Sequence, residues 1–261
     1  MRSGISTACL YPMELEKSLP LLIGMDFHVF EVFINTFSEL QPEYLSELRK
    51  MIDDSGSCVK SVHPFTSGFE SFLLFSDYER RFLDGLELYK RFFEAANRLG
   101  AHILVLHGQQ SEKRSRITEE QYFEHYARLF ALGQTFGVTV AQENVNSFRS
   151  DDPGLIRRMR QYLNNDCAFV LDIKQAVRAG KNPFELCDAM GEQMIHIHLN
   201  DNRKGCDCLL PGFGTMDFDL LVRKLKGFGY DGDLIIEVYR DSFSSMQELE
   251  TAKHFTERLI S

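Results

Sequence analysis

The sequence predicts an α/β protein, a single-domain (β/α)8 TIM barrel spanning residues 1–261. Three observations predict it. Eight short apolar runs alternate with amphipathic helical stretches, which pairs strands in parallel through right-handed crossovers. The length of 261 residues is that of one such barrel. The turn after the first run carries no glycine-rich fingerprint, which an open nucleotide-binding sheet would be expected to show.

The runs, in order, are ISTACLY (5–11), FHVFEVFI (27–34), CVKSVHPF (58–65), HILVLHG (102–108), VTVAQENV (138–145), CAFVLDI (167–173), MIHIHLN (194–200) and DLIIEVY (233–239). Helical periodicity fills 78–100, 119–137 and 218–229, and a last helix runs from about 245 to 260. Leu99-Gly100 and Phe136-Gly137 close two of these helices, with glycine just past the final turn.

Composition narrows the function. Hydrophobic residues at 44% and charged residues at 26% fit a globular chain with a core of its own. The net charge of -9 argues against a phosphate-backbone partner and for small-molecule chemistry. No N-terminal apolar run or membrane-length stretch is present, so the expectation is a cytoplasmic protein with no membrane partner. The six cysteines are scattered and read as reduced thiols; Cys206 and Cys208 alone form a close pair, a weak metal signal.

Barrel chemistry sits at the C-terminal ends of the strands. The third run ends near His63, the fourth at His107, the fifth at Glu143 and the sixth at Asp172. The seventh ends with His196 and His198, and the eighth with Glu237. Strand alternation puts Glu143, Asp172 and His198 on inward faces, away from the apolar set that packs on the helices. Converging carboxylates repel one another, and a divalent cation removes that cost. Carboxylate oxygens plus an imidazole suit one ion of Mn2+, Mg2+, Co2+ or Zn2+. Lys174 and Arg203 are candidate cationic neighbours, and His196 reads as a core histidine below the site.

QENVNSF (142–148), LDIKQ (171–175), HIHLNDNR (196–203), LLPGFGTMDF (209–218) and LIIEVY (234–239) resemble, in order, the blocks of the xylose isomerase-like sugar phosphate isomerase/epimerase family. The resemblance implies that Glu143, Asp172, His198 and Glu237 are the metal ligands. Glu143 and Glu237 are implied as the catalytic pair, one removing and one returning a proton next to a ketose carbonyl through an enediolate. It implies a sugar or sugar phosphate as substrate. His63 and His107 read as substrate contacts or as groups supporting the ligands, ahead of extra metal ligands, and Lys174, Gln175 and Arg203 are the further candidate substrate contacts. Dimers or tetramers are common in the group, so a homo-oligomer is a possible partner state. Gln175 stands where many members have a histidine.

Aldose–ketose isomerisation and dehydration of a keto-inositol share the same first step and stay open. A different class is an endonuclease IV-like metal phosphodiesterase. It is opposed by Gln175, by Cys206-Asp207-Cys208 in place of an Asp-x-His pair, and by the acidic balance. Binding a sugar without turnover is a further alternative.

Overall fold

The computed structural model describes residues 1–111 and 117–261. Eight parallel strands close into a barrel. They are β1 (Ser3–Ser6), β2 (Val29–Ile34), β3 (Cys58–Pro64), β4 (Ile103–Leu106), β5 (Thr139–Glu143), β6 (Ala168–Asp172), β7 (Met194–Leu199) and β10 (Leu234–Ile236). Around the barrel they follow in chain order, and β10 pairs with both β7 and β1 to close it.

Among the described residues, ten helices accompany the strands. They are α1 (Leu15–Gly24), α2 (Pro42–Asp54), α3 (Ser67–Leu73), α4 (Glu79–Leu99), α5 (Glu119–Thr135), α6 (Pro153–Tyr162), α7 (Ile173–Arg178), α8 (Pro183–Met190), α9 (Phe218–Gly227) and α10 (Met246–Ile260). Among the described residues, none is long and apolar enough to cross a membrane. Local signals set their ends. The Thr118 side chain accepts from Gln121 N at 3.2 Å, and the Gln121 side chain accepts from Thr118 N at 2.8 Å, a reciprocal cap on α5. Gly100 ends α4 at φ +78°, a conformation other residues adopt at a cost.

Outward-facing apolar side chains of the strands meet the helices in one core, to which α4 adds Tyr89, Phe92 and Phe93 and α5 adds Tyr122 and Tyr126. The Tyr126 hydroxyl donates to Val140 O at 2.8 Å and accepts from Ala168 N at 2.9 Å, so even this buried polar group is satisfied.

Three elements differ from the sequence expectation. The first strand begins at Ser3 and ends at Ser6, and Thr7–Leu10 curls into a 3-10 turn instead of extending to residue 11. The Ser6 side chain accepts from Ala8 N, which diverts the backbone out of the ladder. The last strand is three residues long, so Glu237 lies just beyond it. Its N–H still donates to Leu199 O at 3.1 Å, which keeps it in register with β7.

A hairpin also stands where only loop was expected: β8 (Asp201–Arg203) pairs antiparallel with β9 (Cys206–Leu209). The turn that follows is held by Asp201, whose carboxylate accepts backbone N–H bonds from Asn202, Gly212, Gly214 and Met216 at 2.7–3.1 Å. A Cβ at Gly214 would meet Asn202 O and Asp201 Oδ1 at 2.4 Å, so the turn needs glycine there. Asp217 caps α9 by accepting from Leu220 N at 2.8 Å. The six cysteines are free.

Candidate metal centre

Four consecutive staves of the barrel, β5, β6, β7 and β10, build the site. Asp172 sits opposite His198 across the β6–β7 ladder, and His198 sits opposite Ile235 across the next. Neighbouring strands lie about 4.8 Å apart, so side chains leaving their ends on the same face must meet. Glu143, Asp172, His198 and Glu237 each offer a ligand atom, all within 4.8 Å of one another.

His198 Nδ1 lies 3.3 Å from Glu143 Oε1, 3.4 Å from Glu237 Oε2 and 3.6 Å from Asp172 Oδ2. Donors held tetrahedrally at about 2.1 Å from one ion are about 3.4 Å apart, so the spacing fits. All four residues are buried. Glu143 Oε2 and Asp172 Oδ2 accept no aligned hydrogen bond from any described residue; their neighbours are the charge partners His107 Nε2 at 3.0 Å and Lys174 Nζ at 3.1 Å. The donor set, its spacing and the unaligned contacts of these two oxygens fit a divalent ion.

Two of the four candidate ligands, Asp172 and His198, are held from behind. Asp172 Oδ1 accepts from Gln175 N at 3.0 Å and so caps α7, which turns Oδ2 toward the cluster. Asn144 fixes the same strand end, donating to Asp172 O and accepting from Asp172 N at 2.8 Å. His198 Nε2 lies 3.0 Å from Glu31 Oε2. A carboxylate accepts, so Nε2 carries a proton, and Nδ1 is the nitrogen that would hold an ion once it gives up its own. Glu31 also accepts from Ser61 Oγ at 2.8 Å and pairs with His196 Nε2 at 3.0 Å. His196 is thus the core histidine below the site.

Burial raises Asp172 to about 6, even against the pull of Lys174. Burial also opposes charge on Glu237, yet Lys174 and His198 outweigh it and bring that group down to about 2. Glu143 is held well below the usual range because His107 and the other imidazoles overcome its burial.

Of the expected substrate contacts, the structure gathers four. A cavity of about 370 Å3 at the barrel mouth is lined by His63, His107, Lys174 and Gln175, beside Glu143 and Glu237. His63 Nδ1 donates to Pro64 O at 3.1 Å, which leaves its Nε2 facing His107 Nε2 at 3.1 Å. His107 Nε2 in turn lies 3.0 Å from Glu143 Oε2. Gln175 Oε1 accepts from Asn146 N at 3.2 Å, so half of its amide holds a loop.

Arg203 is not brought to the cavity; it lies exposed on β8. The guanidinium near the mouth is Arg178, whose Nη1 donates to the Tyr239 hydroxyl at 2.7 Å and whose Nε pairs with Asp207 at 2.6 Å. Of the phenylalanines from 65 to 75, Phe65 lines the cavity, while Phe69 and Phe72 are exposed and Phe75 is core.

The profile of the xylose isomerase-like TIM barrel matches residues 22–259. The chain belongs to that family. An uncharacterised protein of Methanocaldococcus jannaschii is 27% identical over 267 residues, covering 96% of this chain and 88% of its own. A 3-dehydro-D-guloside 4-epimerase of Escherichia coli is 22% identical over 270 residues, covering 94% and 98%. The crystal structure of a D-tagatose 3-epimerase-like protein superposes with a TM-score of 0.80 at 20% identity, over 100% of this chain and 97% of that one. A structure described as an IOLI protein with a bound zinc atom superposes at 0.74 and 18% identity, over 100% and 96%. These two structural likenesses show the fold.

Glu31 was missed from the sequence. Its signal was available: one charge inside an apolar strand of this family's barrel, between Phe30 and Val32. Replacing it (Glu31→Gln) is expected to weaken Mn2+ binding about 10- to 100-fold, since an amide can present either donor or acceptor to His198. Calorimetric titration of wild type and variant checks this, and equal affinities would remove Glu31 from the account.

Proposed function

We propose that this protein is a metal-dependent sugar or sugar phosphate isomerase or epimerase that moves a proton next to a ketose carbonyl. One observation carries the reading: Glu143 and Glu237 reach the same cavity while both face His198 Nδ1, at 3.3 and 3.4 Å. Two carboxylates at one small-molecule cavity are the equipment for taking a proton and returning one. The epimerase among the relatives supports the same class.

A divalent ion bound by Glu143, Asp172, His198 and Glu237 would supply Lewis acidity, acidifying the C–H bond beside the carbonyl. One glutamate takes that proton as general base, leaving an enediolate. The other returns a proton to the opposite face, which inverts the centre. His107, beside Glu143, and Lys174, beside Glu237, keep both carboxylates ionised and ready to accept. Tyr11, Phe33, Phe65 and Tyr239 give the cavity apolar walls that exclude water around the sugar. Aldose–ketose isomerisation and keto-inositol dehydration begin with the same proton removal.

The test is a panel of ketoses, their phosphates and keto-inositols incubated in D2O with the Mn2+-loaded protein and followed by NMR. Deuterium next to the carbonyl, with epimer, isomer or dehydrated product, is the expected result. Metal-loaded protein that exchanges no proton in any of them would end the reading.

One arrangement favours a second reading. His63, His107 and Glu143 form another group with ligand atoms within 4.8 Å, as a metal phosphodiesterase would need. Against it, Asp207 is committed to Arg178, and Gln175 is a poor ligand. Elemental analysis separates the two: three zinc ions per chain would favour the phosphodiesterase, one ion the isomerase.

A further inference from the structure

Lys174 is an unusual occupant for the middle of this site. Its side chain is 2% exposed, among the largest wholly buried side chains of the protein. Nζ lies 2.6 Å from Glu237 Oε2 and 3.1 Å from Asp172 Oδ2. Those are the same two oxygens that His198 Nδ1 faces. The Tyr239 ring lies over the ammonium, 4.9 Å from Nζ to the centroid, and helps to hold it in place. Among the described residues, no other lysine or arginine pairs with the four cluster residues.

An ammonium and a divalent ion therefore address one pair of oxygens. Glu143, Asp172 and Glu237 carry three negative charges, and Lys174 removes one. With His198 neutral, the remainder equals the charge of one divalent ion. Without Lys174 the cluster would be one charge more negative, more attractive to a cation and more costly to bury empty.

We propose that Lys174 is a tethered counter-cation of the metal centre: it holds Asp172 and Glu237 in ligand position before the ion arrives, and it weakens the grip on the ion once bound. This rests on the reading that the cluster binds a divalent ion. The lysine stabilises the metal-free protein at the expense of metal affinity. The ion in this site is then exchangeable, where the same four residues without the lysine would retain it.

The experiment is a calorimetric titration of metal-free wild type, Lys174→Met and Lys174→Gln with Mn2+ alone, with no sugar present, together with thermal unfolding with and without Mn2+. Wild type should bind Mn2+, and both variants should bind it at least about tenfold more tightly. The metal-free midpoint of Lys174→Met should fall by roughly 10 °C, and Mn2+ should restore it. A methionine variant that folds only when Mn2+ is present supports the same conclusion; the glutamine variant, able to hydrogen-bond Glu237, then supplies the affinity. If wild type binds Mn2+ and the neutral variants bind it equally or more weakly, Lys174 is a ligand organiser and the proposal is overturned while the metal centre stands. If wild type binds no Mn2+, the metal centre and the proposal fall together.

Discussion

Replacing Glu143 or Glu237 with glutamine is expected to lower kcat about 10^2- to 10^4-fold on whichever sugar the wild type turns over. Glutamine keeps the length of the side chain and one oxygen for an ion, but it takes no proton. Both side chains are buried at the barrel mouth, so a shape-conserving change should leave the fold intact by circular dichroism. Two carboxylates with separate faces also predict an asymmetry. In each variant the remaining glutamate should still exchange the proton of one epimer with D2O, while net epimerisation is lost. The surviving epimer should differ between the two variants. Full activity in either variant, beside an active wild type, would remove the two-glutamate scheme.

Stripping divalent ions with a chelator is expected to abolish turnover, and Mn2+ or Co2+ to restore it. The ion's affinity should rise with pH. The sign follows from counting protons. Asp172, raised by burial to about 6, must be ionised to ligate. His198 is pushed well above its ordinary value: burial works against its charge, and Glu31 and Glu237 more than reverse that. Its Nδ1 must give up a proton to hold an ion. The metal-free protein therefore carries more protons than the loaded one, and binding releases them. Affinity should fall by about tenfold or more per pH unit below pH 6 and continue to improve above it as His198 yields its proton. Titrations at several pH values, in two buffers of different ionisation heat, measure both slope and proton release. A flat profile would contradict these roles.

The barrel was legible because its eight strands alternate with periodic helices, and the strand ends carry polar residues that a buried core would avoid. Alternation alone aims Glu143, Asp172 and His198 inward, and the structure brings them together with Glu237. What was hidden follows from direction and local wiring. Arg203 is five residues past His198, but the β8–β9 hairpin carries it to an exposed position. That hairpin, from Asp201 to Leu209, lacks apolar alternation and so reads as loop. The turn after it depends on one carboxylate, that of Asp201, gathering four backbone N–H groups, which no periodicity reveals. Lys174 was visible as a charge near Asp172, but the oxygens it would choose depend on how α7 starts, with Asp172 as its cap.

The most direct test is anomalous diffraction from crystals soaked in Mn2+. A peak is expected about 2.0–2.3 Å from His198 Nδ1 and from an oxygen each of Glu143, Asp172 and Glu237. Density at His63, His107 and Glu143 alone, or no ion at the four residues under saturating Mn2+, would contradict the four-residue metal centre.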